Sequence, residues 1–395
     1  MTLDLNQVSG QIDRMVDSLK AGVREKAEHL LFSVDTAKSL DVDAWQAKFK
    51  DGKTTWLVAG LESSPSLSYP LPAAPESFSV LGADGSQIEI DRHSPAHCFL
   101  LNFGIIRLDY GDRPDAMLGN YPILYSRPEE MSIRDSRGHE QPIEGALLGL
   151  KRGVEECRQL ALIASQTDHP SLALLDGTLA LWGLEAYPEF VTKELLDKGF
   201  LKALDDIKKQ SQSKELAVAS YISYPGANEV VNALRIMLCP YQPVDCDRFC
   251  PRTGAASNRK CDSVAGVSDR ELFSELLKPG ERSAVFSSLS TIMKHYGEHR
   301  VKFFYVRVED EVARVEAPAW VADNNDLLEL AHALVFDQCR RGQGYPVALA
   351  EAHEQAVVTA ADRNLFWGLV EQAMSDQRLT PQVSAKSSSK RTRGV

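Results

Sequence analysis

Leu172-Ala173-Leu174-Leu175-Asp176-Gly177-Thr178-Leu179 is a short apolar run that ends on an acid and a glycine. A continuous apolar run before a turn signal reads as a strand buried on both faces. Gly177 allows a sharp turn and leaves room beside the carboxylate. Ligands of open α/β sheets collect outside the carboxyl ends of strands, which is where Asp176 falls.

A related element occurs earlier, at Ala83-Asp84-Gly85-Ser86. Alone it reads as a hairpin turn between two strands over 77–90, because Asp-Gly is a favoured turn dipeptide. Two Asp-Gly-[Ser/Thr] elements on neighbouring strands would bring two carboxylates together. Such a pair repels itself unless a cation lies between the two. All-oxygen donors favour Mg2+ or Mn2+ over zinc.

Around these acids the periodicity alternates. Residues 144–165 are helical, with an apolar stripe of Leu147, Leu150, Val154, Cys157, Leu160 and Ala161. Glu156 lies beside that stripe and could face the two aspartates, and the adjacent Glu155 is an open alternative. A later helix begins near Tyr345-Pro346, since proline suits a first helical turn. It carries His353 at the phase of Leu349 and Ala356, which predicts a histidine on the buried face. Histidine can ligate a metal or shuttle a proton near neutral pH. Two aspartates, a glutamate and a distant histidine suit two-metal phosphodiester hydrolysis.

The remaining chain reads as α/β, with a mixed-sheet core and flanking N- and C-terminal helices. Residues 1–60 form an N-terminal helical region, with Leu5, Val8, Ile12, Met15, Val16 and Leu19 at helical spacing. Residues 61–78 are a Pro/Ser-rich connector. Residues 97–108 and 216–222 read as strands, and 301–308 with 312–317 as a hairpin. Residues 111–141 look loop-like, 77–375 form the main domain, and 376–395 form a disordered basic tail.

Composition narrows the function classes. A hydrophobic share of 44% and a charged share of 25% exclude wholesale disorder. A net charge of −11 excludes coating of DNA by bulk electrostatics. No run of about 18 apolar residues predicts a membrane span, and the acidic N-terminus lacks the features of a signal peptide. Seven cysteines, an odd number, predict reduced thiols and a cytoplasmic protein.

Taken in order, Ala83-Asp84-Gly85-Ser86-Gln87, the helix with Glu156, Leu175-Asp176-Gly177-Thr178-Leu179 and Tyr345-Pro346 through Ala352-His353 resemble the signature of the NurA nucleases. The likeness spans about residues 77–366. Gly280-Glu281-Arg282-Ser283 and Arg314-Val315-Glu316 resemble the bacterial branch. The resemblance implies an RNase H-like (PIWI-like) core and a homodimer. It also implies Mn2+-dependent 5′→3′ exonuclease and single-strand endonuclease activity on DNA. The implied setting is end resection in double-strand-break repair, alongside a HerA-type hexameric ATPase. Carried over, Asp84, Asp176 and Glu156 become metal ligands and His353 the catalytic histidine. A lysine common in the family after the strand at 216–222 is replaced here by Ser220-Tyr221-Ile222-Ser223.

Cys239, Cys246, Cys250 and Cys261 form a C-x6-C-x3-C-x10-C array in an insertion at 239–268. Four thiolates could hold Zn2+ or an iron–sulfur cluster, although the usual C-x2-C knuckles are absent. Two other function classes stay open. The chain could be a non-catalytic DNA-binding or ATPase-docking subunit, which would need no Mn2+. It could also be an RNase H-like hydrolase of another substrate, which a panel of DNA, RNA and small phosphate esters would separate.

Overall fold

The computed structural model describes residues 4–90, 96–250 and 259–378. The chain divides into a larger unit (72–221, 292–301 and 316–395) and a smaller one (1–71, 222–291 and 302–315). Most of the basic tail expected over 376–395 lies outside the described residues.

The larger unit is built on β1 (Phe78–Ile88), β2 (Phe99–Tyr110), β3 (Asp115–Tyr125), β4 (Ser171–Asp176) and β5 (Leu216–Ile222). Their order across the sheet is β3-β2-β1-β4-β5. The first three form an antiparallel meander, and β4 runs parallel to both β1 and β5. This 3-2-1-4-5 order with a reversed second strand is the RNase H-like arrangement. The fold is mixed α/β with flanking helices.

Central position explains the apolar runs. Leu172, Ala173 and Leu174 of β4 and Leu216 through Ala219 of β5 are fully buried, as parallel strands covered on both faces require. The expected strand–turn–strand over 77–90 is instead the single strand β1. Asp84 pairs with Gly104 and Gly85 with Phe103 in unbroken register. The stretch 111–141, expected as loop, contains β3 and a small hairpin, Ser132–Arg134 with Glu140–Pro142. β3 is an edge strand with nearly every residue exposed. With most of its side chains in solvent, its sequence lacks the alternation that betrays a strand.

Two helices sandwich β1. α1 (Ala146–Ala164) approaches from the side of Gly85, and α3 (Val347–Ala356) from the side of Gly82, consistent with the alternation of a strand's two faces. α2 (Asn325–Arg341) precedes α3. Buried Gln338 of α2 accepts the Ala348 amide, one of the donors a helix start leaves unpaired.

The smaller unit packs helices Val42–Phe49, Glu229–Leu238 and Asp269–Leu276 around Trp45, Leu234, Phe273, Phe303 and Tyr305. Phe303, Phe304 and Tyr305 are fully buried core. The helix Leu5–Ser39 joins this core through its carboxyl-terminal part, with Val34, Ala37 and the following Leu40 buried and Leu30 packed against them. Ile12, Met15, Val16 and Leu19, which share a stripe, are exposed. No helix among the described residues is long and apolar enough to cross a membrane.

Candidate active site

Asp84 lies on β1 one residue beyond the last paired position with β4, Ala83 opposite Leu175. In parallel register this sets Asp84 level with Asp176, so both project to the same face of adjacent strands. Asp84 Oδ1 accepts the Gly85 amide at 2.7 Å, and Oδ2 receives His353 Nδ1 at 2.8 Å.

Asp176 stands exposed at the carboxyl end of β4. Gly177 follows with φ +81, a conformation that glycine adopts without strain. The turn beyond is clamped from a distant part of the chain. Thr178 Oγ1 and the Leu179 amide donate to Glu316 Oε2 at 2.8 and 2.9 Å, and Glu316 is buried. Tyr296 Oη donates to the Leu179 carbonyl and accepts the Leu181 amide. Tyr345 Oη donates to Asp176 Oδ1 at 3.0 Å. Desolvation by surrounding protein, then the negative charge of Asp84, pushes the Asp176 carboxyl upward, against the Tyr345 hydrogen bond.

Glu156 enters from α1 on the opposite side of β1. A Cβ on Gly85 would lie 2.6 Å from Glu156 Oε1, so the glutamate occupies the space that a side chain at 85 would take. Arg152 Nε sits 3.0 Å from the same oxygen, without the alignment of a hydrogen bond. Burial pushes the Glu156 carboxyl up to about 8, with Asp84 and Asp176 adding repulsion and Arg152 opposing both. Glu155 is engaged elsewhere, by Lys151 at 3.3 Å and Arg158 at 2.6 Å. Of the two neighbouring glutamates, only Glu156 is placed among the aspartates.

His353 was expected on the buried face of its helix. Instead α3 buries Ala348, Leu349, Ala352 and Ala356, while the His353 side chain is 66% exposed at the edge of that face. One residue past Ala352 is a rotation of about 100°, enough to leave the core. The ring then reaches Asp84 because α3 lies directly on the sheet. A Cβ on Gly82 would come within 2.6 Å of the Ala348 carbonyl, and one on Gly104 within 2.0 Å of the Ala352 carbonyl. The carboxyl end of α3 is fixed as well, since Ser86 and Asn102 donate to the Ala356 carbonyl and Asn120 to that of Gln355.

The structure therefore gathers Asp84, Asp176, Glu156 and His353. Tyr345, quoted only as part of a motif, proves to hold Asp176. Glu316, quoted only at the end of Arg314-Val315-Glu316, proves to clamp the Gly177 turn, and Arg152 carries no sequence signal of its own, since an i,i+4 arginine looks like a surface residue. The carboxylates fit a hard divalent cation. They are all-oxygen donors, they repel one another, and Glu156 Oε1 is buried without a well-directed donor. Among the described residues, one group of three candidate ligand atoms lies within 4.8 Å, and it is Asp205, Glu298 and His299. Those residues are already engaged: His299 bonds Asp205 and Trp320, and Lys208 pairs with Glu298. The wider spacing of the Asp84 set leaves room for the waters that Mg2+-like ions retain. The four insertion cysteines belong to the smaller unit.

A family model described as the NurA domain matches residues 78–358. Among solved structures, the NurA nuclease from Sulfolobus solfataricus is similar at 11% identity and a TM-score of 0.45, over 95% of this chain and 98% of that one. A NurA structure with manganese shares 10% identity at a TM-score of 0.41, over 92% of this chain and 100% of that one. No curated protein matches.

Proposed function

The chain belongs to the NurA family, and from that premise we propose that it is a metal-dependent deoxyribonuclease. The observation that carries this reading is the level placement of Asp84 and Asp176 on parallel β1 and β4, with Glu156 filling the gap at Gly85. Asp84, Asp176 and Glu156 would hold Mn2+ or Mg2+, which when bound supplies Lewis acidity for attack on a phosphodiester.

The protein's own groups have separable tasks. With Nδ1 against Asp84, His353 is held with its Nδ1–H as donor, so that Nε2 is the atom free to take or give a proton at the exposed edge. Tyr345 fixes the rotamer of Asp176 through Oδ1. Glu316 sets the course of the turn that follows. Arg152 lies against Glu156 and offsets part of its charge.

The finer reading is 5′→3′ exonuclease and single-strand endonuclease activity. It places a homodimer, working with a HerA-type hexameric ATPase, in end resection at double-strand breaks in the cytoplasm. It rests on the family and on the ordered motifs around these residues. The test is cleavage of 5′- and 3′-labelled single- and double-stranded DNA with Mn2+, Mg2+ or EDTA, with and without the ATPase. Cutting that requires the cation and is lost in Asp84→Ala supports the proposal. Wild-type cutting by Asp84→Ala removes Asp84 from the chemistry, and absence of cutting under every condition overturns the nuclease reading.

A further inference from the structure

The smaller unit holds a second set of metal-binding side chains. Cys239 caps the carboxyl end of the helix Glu229–Leu238, and Cys246 opens the short helix Cys246–Phe249. Cys250 closes that helix through its amide on the Cys246 carbonyl. Cys261 lies in the 3-10 turn Lys260–Val264. Cys239, Cys246 and Cys261 are buried, Cys250 is half-buried, and none is in a disulfide. The Cys246 sulfur lies within electrostatic reach of the other three. Residues distant in sequence have thus been folded around one point.

Two guanidinium groups line the cysteine cluster. Arg259 lies against Cys250 and Arg235 against Cys261. Both guanidiniums also pair with the single carboxylate Asp262, at 2.9 and 2.7 Å. That sharing leaves positive charge directed at the sulfurs. Cationic donors around ligand sulfurs are the outer shell that tunes a metal–thiolate centre. The frame is tied on both sides. Lys53 donates its amide to the Val244 carbonyl and accepts the Cys246 amide, and the Tyr241 and Phe249 rings stack at 4.0 Å.

Spacing selects among thiophilic metals. A single zinc with Zn–S of about 2.3 Å draws its four sulfurs to about 3.8 Å of one another. No three of these sulfurs meet even a 4.8 Å limit among the described residues. A cubane cluster holds its ligand sulfurs wider apart, because each thiolate binds a different iron.

We propose that Cys239, Cys246, Cys250 and Cys261 bind a [4Fe–4S] cluster that staples the insertion to the helix Glu229–Leu238. Each thiol gives up its proton on ligation, and Arg235 and Arg259 offset the resulting negative charge. The site is independent of the carboxylates assigned to DNA cleavage, so its test reads metal content alone.

The experiment is anaerobic purification of the full chain from cells supplied with iron and sulfide donors. Iron, zinc and acid-labile sulfide are then quantified, with visible absorption and electron paramagnetic resonance after reduction. About four irons and four sulfides per chain are expected, lost in Cys250→Ser and Cys261→Ser but retained in Cys98→Ala. One zinc per chain without iron overturns the cluster assignment. Neither metal in the wild-type chain overturns the site altogether. Both of those outcomes are read on unmutated protein, so a folding defect in a variant does not blur them.

Discussion

His353 and Asp84 are 269 positions apart in the chain, yet their side chains meet at 2.8 Å. The contact fixes one ring nitrogen while the side chain as a whole stays 66% exposed, as the proposed proton transfer requires. Replacing His353 with Ala should lower turnover on labelled DNA by about 10²-fold, with partial recovery in added imidazole. Full activity without imidazole would remove the ring from the reaction. The paired glutamates allow a sharper comparison. Glu156→Gln should reduce cleavage by at least about 10²-fold while raising the melting temperature of metal-free protein near pH 7, because a buried carboxyl held near 8 must take up a proton on folding and glutamine need not. Glu155→Gln should cost about 1 kcal/mol through Lys151 and Arg158 and leave cleavage intact. Equal effects from the two variants would contradict the assignment of Glu156. Sequence periodicity placed Glu156 beside an apolar stripe but could not choose between neighbours, since the choice depends on the empty space at Gly85. It misjudged His353 because helical phase locates a residue only to within about one position.

At the scale of elements, the apolar strands β4 and β5 were readable because burial on both faces writes an uninterrupted hydrophobic run. β3 was not, because a largely exposed edge leaves no periodic mark, and β1 hid behind an Asp-Gly pair that usually signals a turn. That pair stays extended here, and Gly85 serves to admit a glutamate. Gly82 and Gly104 have a comparable task on the other face, letting α3 rest against the sheet. Gly104→Ala should therefore push α3 outward, since its Cβ would meet the Ala352 carbonyl at 2.0 Å. Overpacking of this kind costs about 1–3 kcal/mol, and the same shift would draw His353 away from Asp84. Thermal unfolding and cleavage should fall together. A normal melting temperature with normal cleavage would show that α3 is not held at this distance.

For the molecule as a whole, charge and proposed substrate pull in opposite directions. With Lys+Arg 44 and Asp+Glu 55, the net −11 disfavours approach of a polyanion. Divalent cations at the carboxylates would reverse that locally. Affinity for a cleavage-resistant phosphorothioate strand, followed by fluorescence anisotropy, should be at least about tenfold weaker in EDTA than in Mn2+ at fixed ionic strength. Equal binding in both would locate the DNA contact away from these acids. The acidic balance was legible from composition. The grouping that answers it was not, because it depends on contacts between distant segments.

The order in which those segments leave the ribosome matters. Asp84, Glu156 and Asp176 are made first, whereas Glu316, Tyr345 and His353, which shape and complete their surroundings, come from the last quarter of the chain. A nascent or prematurely terminated polypeptide has the acids without the histidine, the tyrosine or the clamp on the Gly177 turn. If these residues have the proposed roles, such fragments should lack nuclease activity, so that competence arrives only with the end of synthesis.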